Sequence, residues 1–391
     1  MRTRSGSLYC NNGGEVVAVG HKRRRTALSS SSGQSAVAGE CSGGGRRKRL
    51  AVGPDYLDVL PDDLVLSILS KLAASASAPS DLLSVHLTCK RLNELGGHDM
   101  VFAKASPASL AVKAAAWSEQ AQRFLKRCAD AGNLEACYIL GMIRFYCLGS
   151  RSGGAAMLAR AAVGGHAAAL YSLAVVQFNG SGGAKSDRDL RAGAALCARA
   201  AALGHVDALR ELGHCLQDGY GVRRDPAEGR RLLVAANARE LTLALAAAAA
   251  SRHPFAAALP LGAGTGGCPL LSDFGWSLPE AEPHAANQFM VDWWASSGTQ
   301  AAAGKKSSAA ATGDSDGAEL RLCSHVRCGR RETRRHEFRR CSVCGAANYC
   351  SRACQALDWK RAHKAQCVPM VRWLLAGGEA EAEAAFAAAH G

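Results

Sequence analysis

Seven cysteines and one histidine near the end of the chain have the types and the spacing of metal ligands. They fall in order as C-x4-C, C-x2-C, C-x3-C and H-x3-C. A short turn or one helical turn brings both side chains of a pair to the same side, so two pairs can complete one tetrahedral site, the geometry of structural Zn²⁺. Eight ligands therefore predict two closed zinc sites. The pairs are Cys323/Cys328, Cys341/Cys344, Cys350/Cys354 and His363/Cys367.

Disulfide bonds are the alternative use of these cysteines. They need an oxidising compartment, and the start of the chain lacks the apolar core of a signal peptide. The odd number of thiols and the histidine at ligand spacing also favour metal. The other nine of the 16 cysteines have no repeated pair spacing and are interpreted as small buried apolar residues. We therefore expect the protein to reside in the reducing interior of the cell.

The complete spacing, C-x4-C-x12-C-x2-C-x5-C-x3-C-x8-H-x3-C, resembles that of the MYND zinc finger. Tyr349 before Cys350 and the run from Cys354 to Trp359 add to the resemblance. It implies interleaved sites, an arrangement that spacing alone does not show. The implied ligands are Cys323, Cys328, Cys350 and Cys354 for the first zinc, and Cys341, Cys344, His363 and Cys367 for the second.

The resemblance also implies a protein-interaction module that binds short proline-containing peptides. Gln355 and Trp359 fall where family members contact such a peptide. The alternative is that Trp359 only packs on the zinc scaffold. A RING finger would need a Cys-x-His in the middle of the ligand series, and a MYND-bearing methyltransferase would need a SET domain; neither pattern is found in the sequence.

The composition predicts a mainly α protein. Alanine is abundant and aromatic residues make up only 6% of the chain, which favours closely packed helices. No apolar run reaches the length of a membrane span, so no membrane association is expected. The net charge of +14 is concentrated at the two ends of the chain, since residues 1–50 hold ten Lys and Arg against two Glu.

Residues 1–54 are predicted to be a disordered basic tail, because they are rich in Gly, Ser and Arg and have no apolar period. Two basic clusters, residues 22–25 and 46–49, have the pattern of nuclear import signals. We expect a location in the nucleus, the cytoplasm or both. A solvated tail and an organelle transit peptide are the alternatives.

Residues 55–98 are predicted to form a small helical unit. Pro61 suits the first turn of a helix, and Asp62 and Asp63 favour its N-terminus. Apolar residues then recur at helical spacing as far as Leu72. Together these features predict more apolar surface than about forty residues can bury alone.

The second half of this unit contains a predicted loop over residues 73–80. A second helix is expected to open at Asp81, a good N-cap, and a third to lie near residues 90–95. The residues resemble an F-box, although the loop is longer than the usual turn of that family. The pattern is Leu60-Pro61-x-x-Leu64-x-x-x-Ile68-Leu69-x-x-Leu72, then Asp81-Leu82-x-x-Val85 and Cys89-Lys90.

The F-box resemblance implies binding to the Skp-family adaptor of a cullin–RING ubiquitin ligase. It also implies which residues form much of the apolar interface with that adaptor. The alternative is an ordinary helical hairpin that packs on the neighbouring repeats. The implied interface residues are Leu60, Pro61, Ile68, Leu69, Leu72 and Leu82.

Residues 113–242 contain an internal repeat. Its landmarks, residues 131–133, 164–166 and 203–205, recur at intervals of 33 and 39 residues. A period in this range predicts stacked helix pairs that form an α-solenoid. The copies resemble Sel-1-like repeats, relatives of the tetratricopeptide class. The solenoid is expected to bind a partner protein or to act as a rigid spacer.

Three further segments complete the predicted organisation. Residues 243–318 are expected to form a linker without helical period, except for a short apolar helix over residues 287–295 that packs on the repeats or the finger. The MYND finger is assigned to residues 319–368, and residues 369–391 form a tail. No catalytic arrangement remains once the zinc ligands are assigned, so an enzyme is not expected.

The order of the domains predicts a non-catalytic, substrate-recognition adaptor of an SCF-type ubiquitin ligase. As a whole, the chain resembles plant F-box proteins with a C-terminal MYND finger. In this interpretation the F-box binds the ligase, while the repeats or the finger bind an unknown target protein. The alternative is a nuclear scaffold or corepressor-type protein without a ligase role, whose basic ends contact nucleic acid.

Overall fold

The computed structural model describes residues 56–250, 282–303 and 320–369 of the 391-residue chain. These ranges belong to one structural unit. The predicted basic tail over residues 1–54 and the predicted tail after residue 369 lie outside the described residues. Within the described ranges, no helix combines the length and the apolar composition needed to cross a bilayer.

Five short helices form the N-terminal unit, residues 56–103. Helix α2 follows Pro61, which stands at the N-cap position, and it buries Val65, Leu69 and Ala73 at i, i+4 and i+8. This spacing keeps the three side chains on one face of the helix. The helices are α1 (Tyr56–Val59), α2 (Asp62–Ser75), α3 (Pro79–His86), α4 (Lys90–Gly96) and α5 (Asp99–Ala103).

The link between α2 and α3 is shorter than predicted, because α2 continues to Ser75 and α3 begins at Pro79. Alanine, which has the highest helix propensity, extends the last turn of α2. Asp81 is not the N-cap but lies in the first turn of α3. Its carboxylate accepts hydrogen bonds from the backbone N–H groups of Ser77 (2.8 Å) and Ala78 (3.2 Å).

The solenoid comprises the helices over residues 119–250, each packed on the next along the chain. This arrangement, with the finger described below, confirms the predicted mainly α fold with a solenoid of helix pairs. The helices are α6 (Glu119–Asp130), α7 (Leu134–Met142), α8 (Arg151–Val163), α9 (Ala167–Asn179), α10 (Leu190–Ala202), α11 (Val206–Asp218) and α12 (Pro226–Ala250).

The predicted repeat landmarks are the turns between α6 and α7, α8 and α9, and α10 and α11. Each turn contains a glycine with positive φ, a conformation that residues with a Cβ rarely adopt. The next residue caps the following helix, because its side chain accepts a hydrogen bond from the backbone N–H three residues later. The glycines are Gly132, Gly165 and Gly204, and the caps are Asn133, His166 and His205.

Asn133 also joins the N-terminal unit to the solenoid. Its side-chain N–H donates to the carbonyl oxygens of Ala105 (2.9 Å) and Phe102 (3.2 Å), while its side-chain oxygen caps α7. The guanidinium of Arg127 lies over the Phe102 ring, 4.6 Å from its centroid. The N-terminal unit is therefore attached to the first helices of the solenoid through buried contacts.

The described part of the predicted linker, residues 243–250 and 282–303, is more helical than expected. Helix α12 continues to Ala250, into the predicted linker, and a further helix, α13 (Ala285–Ala303), covers the predicted short helix. Phe289 of α13 packs edge-on against Trp117 at 5.2 Å between ring centroids. The Trp294 indole N–H donates to the carbonyl oxygen of Gly329 in the finger (3.0 Å). The predicted packing of this helix is confirmed, since it contacts both neighbours.

A carboxylate on α7 connects three helices. Glu135 lies 2.9 Å from Nε2 of His166, the cap of α9, and 2.9 Å from Nε2 of His284, which precedes α13. Burial acts to raise the pKa of Glu135, but the two imidazoles outweigh it and lower that pKa to about 2. The carboxylate is therefore held in its ionised form at the junction of α7, α9 and α13.

The finger occupies residues 320–369. Strands β1 (Arg339–Arg340) and β2 (Asn348–Tyr349) pair antiparallel, with Arg339 opposite Tyr349. Helix α14 (Arg352–Asp358), a π-helical turn (Trp359–His363) and α15 (Lys364–Gln366) follow. Cys341 directly follows β1 and Cys350 directly follows β2, so the hairpin places ligands of both predicted sites at its strand ends.

Candidate metal centres and docking surfaces

The first group of ligands, the inner cluster, consists of four buried cysteines. Their ligand atoms all lie within 4.8 Å of one another. The Sγ atom of Cys350 is 3.6 Å from that of Cys328 and 3.6 Å from that of Cys354. The members are Cys323, Cys328, Cys350 and Cys354, the set that the MYND resemblance implies for the first zinc.

The second group, the outer cluster, contains three cysteines and a histidine. The Sγ atoms of Cys341 and Cys367 are 3.8 Å apart, and Cys344 Sγ is 3.5 Å from His363 Nε2. Two of its members, Cys344 and Cys367, are only partly buried. The structure thus brings together the four residues that the resemblance implies for the second zinc.

Both clusters fit tetrahedral zinc. Bonds of about 2.3 Å to sulfur and 2.0–2.1 Å to nitrogen place two sulfur atoms roughly 3.8 Å apart, and sulfur and nitrogen roughly 3.6 Å apart. The observed separations agree with these values. Each cluster supplies four soft N/S donors, which completes the coordination of a structural zinc ion and leaves no position for substrate.

Local structure orients these ligands. The Ser351 side chain caps α14 by accepting from the N–H of Cys354 (3.1 Å), which positions that thiol in the first turn. The buried Tyr349 hydroxyl donates to the Asp358 carboxylate (2.7 Å), tying β2 to the end of α14. The π-helical turn then carries His363 into the outer cluster.

Arg330 is a buried cation between the inner cluster and the solenoid. Its Nη1 lies 3.6 Å from Cys328 Sγ and 3.9 Å from Cys350 Sγ, while its Nη2 donates to the Ser172 hydroxyl on α9 (3.0 Å). Burial acts to lower the pKa of Arg330, but the Cys328 and Cys350 thiolates outweigh it and hold that pKa well above its usual value. The guanidinium therefore balances negative charge at the inner cluster.

The finger packs on the solenoid through buried polar contacts. The N–H of Ala353 donates to the Glu211 carboxylate on α11 (2.8 Å), and the Tyr171 hydroxyl on α9 lies 3.1 Å from the Ser351 hydroxyl. Asn179 donates to the carbonyl of Cys350 (2.8 Å). Burial raises the pKa of Glu211, and the Ala353 hydrogen bond opposes that shift.

A second set of contacts joins the finger to the loop after α9 and to the start of α8. The backbone N–H of Gly182 donates to the Thr333 hydroxyl (2.9 Å), and Arg151 donates to the Thr333 carbonyl (2.8 Å). The finger therefore covers the part of α9 and α11 that faces it. A partner cannot reach that part of the solenoid surface while the finger is docked.

Gln355 and Trp359, the two residues that the resemblance implies for peptide binding, line one groove. Trp359 is 38% exposed and also packs edge-to-face on the His363 ring, with centroids 5.8 Å apart. The two interpretations of Trp359, groove lining and scaffold packing, are therefore compatible.

The F-box resemblance named six interface residues, and the structure separates them. Pro61, Ile68 and Leu72 are exposed and Leu60 is half-buried, as a docking face requires. Leu69 (6% exposed) and Leu82 (4% exposed) are core residues of the N-terminal unit, so their assignment to the interface is corrected. Leu69 faces the interior because it lies on the same face of α2 as the buried Val65 and Ala73.

The apolar surface includes residues that the sequence reasoning did not place there. Leu64, Ile68 and Leu72 follow one another at i, i+4 and i+8, one position behind the buried series Val65, Leu69 and Ala73. Two apolar series, offset by one residue, were the sequence signal that could have distinguished the exposed face of α2 from its buried face. The other exposed large apolar residues of the N-terminal unit are Leu57, Val59, Leu83, Leu87 and Met100.

Sequence reasoning also missed the residues that dock the finger, above all Arg330 and Glu211. Both belong to charged types that are rarely buried without a partner. Their partners across the contact, Ser172 for Arg330 and Ala353 for Glu211, lie more than a hundred residues away along the chain, so no local pattern marks them.

Three family profiles match the chain. The F-box-like profile matches residues 57–104, and the plant tetratrico peptide repeat profile matches residues 109–196. The MYND finger profile matches residues 323–367, a range that begins and ends at a predicted zinc ligand.

Curated relatives match most of the chain. The F-box protein At1g67340 of Arabidopsis thaliana is 55% identical over 336 residues, which cover 84% of this chain and 85% of the relative. The F-box protein At5g50450 of the same plant is 54% identical over 325 residues, covering 83% of this chain and 89% of the relative.

Solved structures are similar over smaller shares. A Sel1 repeat protein from Oxalobacter formigenes is 27% identical with a TM-score of 0.27, covering 29% of this chain and 86% of that one. A protective antigen of uropathogenic Escherichia coli that displays an SLR fold is 18% identical with a TM-score of 0.29, covering 59% and 41%.

Proposed function

The chain belongs to the family of plant F-box proteins that carry Sel-1-like repeats and a C-terminal MYND-type finger, and on this premise we propose that it is the substrate-recognition adaptor of an SCF-type ubiquitin ligase. The N-terminal unit binds the Skp-family adaptor. The finger, held on the solenoid, binds the target protein. The chain itself performs no bond chemistry and acts by proximity, which raises the effective concentration of target lysines near a loaded ubiquitin carrier.

The observation that carries this proposal is the exposed apolar face of α2. Leu64 (48% exposed), Ile68 (46%) and Leu72 (39%) lie in one row, and Leu83 (59%) and Leu87 (83%) of the next segment are exposed as well. Contiguous apolar surface on a small helical unit marks a protein-interaction site. The F-box-like profile covers these residues, and a Skp-family adaptor is the partner that such a profile implies.

The attachment of the unit to the solenoid supports an adaptor role. Asn133 binds the Phe102 carbonyl of the N-terminal unit and caps α7, while the finger packs on α9 and α11. The site for the ligase and the site for the target therefore lie on one body. A fixed separation between them favours repeated transfer to the same region of a target.

Zinc has a structural role in this proposal. When bound, it would be held by the inner and outer clusters and would supply cross-links that a finger of this size needs to fold. The thiolates and the imidazole of the two clusters orient the hairpin and α14, and they expose Gln355 and Trp359 on the finger surface.

Capture of a purified Skp-family adaptor by the full-length chain tests the proposal. We expect the wild type to bind, and the double variant Leu64→Asp/Ile68→Asp to bind at least ~100-fold more weakly, because two charges would enter an apolar interface. Leu69 is left intact, since it is a core residue. Val163→Asp on α8, which is also an exposed apolar position, serves as the matched control.

Two results would contradict the adaptor role. One is a wild-type chain that does not bind the adaptor although its circular dichroism shows folded helices. The other is an equal loss of binding in Val163→Asp and in the double variant. Either result would favour the scaffold interpretation without a ligase role.

For the location, we propose import into the nucleus through the basic clusters at residues 22–25 and 46–49. Their composition supports this proposal, because Lys and Arg runs of this length are typical of import signals. The full chain fused to a fluorescent reporter should lose nuclear signal when both clusters are changed to glutamine. A purely organellar signal from the wild-type fusion would exclude import into the nucleus.

A further inference from the structure

A groove of about 490 Å³ lies where the last described helix pair meets the finger. One wall belongs to α11 and the other to β1 and α14, so neither the finger nor the solenoid forms it alone. Its lining residues are His214 and Asp218 from the solenoid, and Arg339, Arg340, Ser342, Arg352, Gln355, Ala356, Trp359 and Lys360 from the finger.

The groove is strongly basic. Four of its lining side chains are cationic, and only Asp218 is acidic. Asp218 forms an ion pair with Arg352, which leaves a net positive charge on the remaining surface. Within the described part of the chain, Arg339 and Lys360 form no ion pair with a carboxylate. A groove of this charge attracts a negatively charged ligand.

The solenoid holds one of these cations in place. The Arg352 guanidinium donates to the carbonyl of His214 (3.0 Å) and lies over the Tyr220 ring, 4.7 Å from its centroid. Because the side chain is fixed before a ligand arrives, little conformational entropy is lost when it binds an acid. This orientation depends on α11 and is absent from a finger considered by itself.

The remaining surface fits an extended peptide. The exposed Trp359 ring and Ala356 offer an apolar contact, and the Gln355 amide can donate to and accept from a peptide backbone. Both residues of β1 are exposed, and its arginine side chains line the same groove. A side chain on a peptide that contacts Trp359 can therefore reach a guanidinium.

We propose that this composite groove binds an extended peptide of a target protein in which acidic residues flank the segment that contacts Trp359, and that α11 contributes to this acid preference. The inference rests on the proposed function, since the peptide belongs to the ubiquitination target. It adds a charge requirement and a solenoid wall to the short proline-containing peptide implied for the finger.

Matched peptide pools test the charge requirement on the zinc-loaded full-length chain. One pool of fluorescein-labelled 12-residue peptides has a central proline flanked by aspartate and glutamate, and the other has asparagine and glutamine at the same positions. By fluorescence anisotropy we expect the acidic pool to bind about ten-fold more tightly, because hydrogen bonds to charged groups are the stronger ones. Higher salt should reduce the difference.

Substitutions test whether the groove causes the preference for acidic peptides. Arg339→Gln/Arg340→Gln should lower the affinity for the acidic pool towards that for the amide pool, since two of the four cations are removed. Asp218→Asn should raise affinity for the acidic pool about two- to three-fold, since it removes the competing carboxylate. Arg230→Gln, an exposed arginine on α12 outside the groove, should change neither pool. Opposite signs for two groove substitutions exclude unfolding as the cause.

Three results would overturn the inference: equal affinity for the two pools, no binding of either pool, or an equal loss in Arg230→Gln and in the double arginine variant. Adaptor capture through Leu64 and Ile68 is measured separately. A failure of the groove with normal adaptor binding would therefore reject this inference alone and leave the proposed ligase role in place.

Discussion

The inner and outer clusters have nearly the same donors but very different surroundings. All four inner cysteines are buried, the Arg330 guanidinium lies beside two of them, and the Cys350 carbonyl accepts from Asn179 on α9. The outer cluster has two partly buried ligands, Cys344 and Cys367. Among the described residues, no outer ligand forms a hydrogen bond with the solenoid.

This difference indicates two roles for one kind of site. The inner cluster stabilises the contact between finger and solenoid as well as the finger itself. The outer cluster stabilises only the C-terminal half of the finger, including the helical segment with Trp359. Loss of metal should therefore affect distant helices in the first case and local structure in the second.

The largest expected effect is the loss of an inner ligand. Structural zinc contributes on the order of 10 kcal/mol to the folding of small zinc domains. We expect Cys350→Ser to lower the zinc content below two per chain and to lower the unfolding temperature of the solenoid helices. Cys367→Ser should lose one zinc while those helices unfold nearly as in the wild type. Elemental analysis and circular dichroism measure both quantities.

Cys89→Ser is the control for these substitutions, since Cys89 is an exposed thiol that belongs to neither cluster. It should keep two zinc ions per chain and the wild-type unfolding temperature. Equal destabilisation of the solenoid by Cys350→Ser and Cys367→Ser would contradict the distinction between the clusters.

Removal of the cation beside the inner cluster comes next. Arg330→Leu leaves the thiolate charge and the Ser172 hydroxyl without their partner, and loss of one member of a buried charge pair costs roughly 3–5 kcal/mol. We expect lower stability in urea and faster release of one zinc to a chelator. Arg331→Leu, which removes a cation over the Trp294 ring instead, should cost under about 1 kcal/mol. Equal zinc release rates in the two variants would refute this role of Arg330.

The smallest expected effect comes from Glu135, a carboxylate outside both clusters whose contribution to stability depends on pH. Its pKa is about 2 in the folded chain against 4.5 ordinarily, so its stabilisation is present above pH 4.5 and lost as the pH falls towards 2. A difference of this size corresponds to at most about 3 kcal/mol. Glu135→Gln should flatten the loss of unfolding free energy over that range.

Glu119→Gln provides the comparison for the acid experiment, because Glu119 pairs with Arg123 on the surface of α6. Because both partners are exposed, this substitution should change the unfolding free energy by less than about 1 kcal/mol. If Glu135→Gln leaves the loss of stability in acid as it is in the wild type, the carboxylate does not join α7, α9 and α13 as the geometry indicates.

The local features of the fold were predictable from the sequence. Ligand spacing marks the finger, glycine and cap residues mark the repeat turns, and helical periods mark α2 and the repeat helices. These signals are short in sequence because they come from hydrogen bonds and side chains within one or two turns. Such local signals place helix ends less accurately, since α3 begins at Pro79 and not at Asp81, where the sequence predicted its start.

The long-range features were not predictable. Leu69 and Leu82 belong to the core rather than to the apolar face, and this depends on which side of α2 packs on α5. The burial of Arg330 and Glu211 depends on contacts between segments more than a hundred residues apart. Helical periodicity shows which side chains share one face of a helix, but only tertiary packing determines which face is buried.

The bridge made by Asn133 has a geometric consequence. The Asn133 side chain joins the N-terminal unit to α7, and each later helix packs on the one before. The number of helix pairs therefore sets the distance between the apolar face of α2 and the groove. An extra pair inserted before α7 would move the groove away from the apolar face of α2 by roughly 10 Å, the usual distance between packed helices. In the proposed adaptor role, the length of the helical array would set which lysines on a bound protein come within reach.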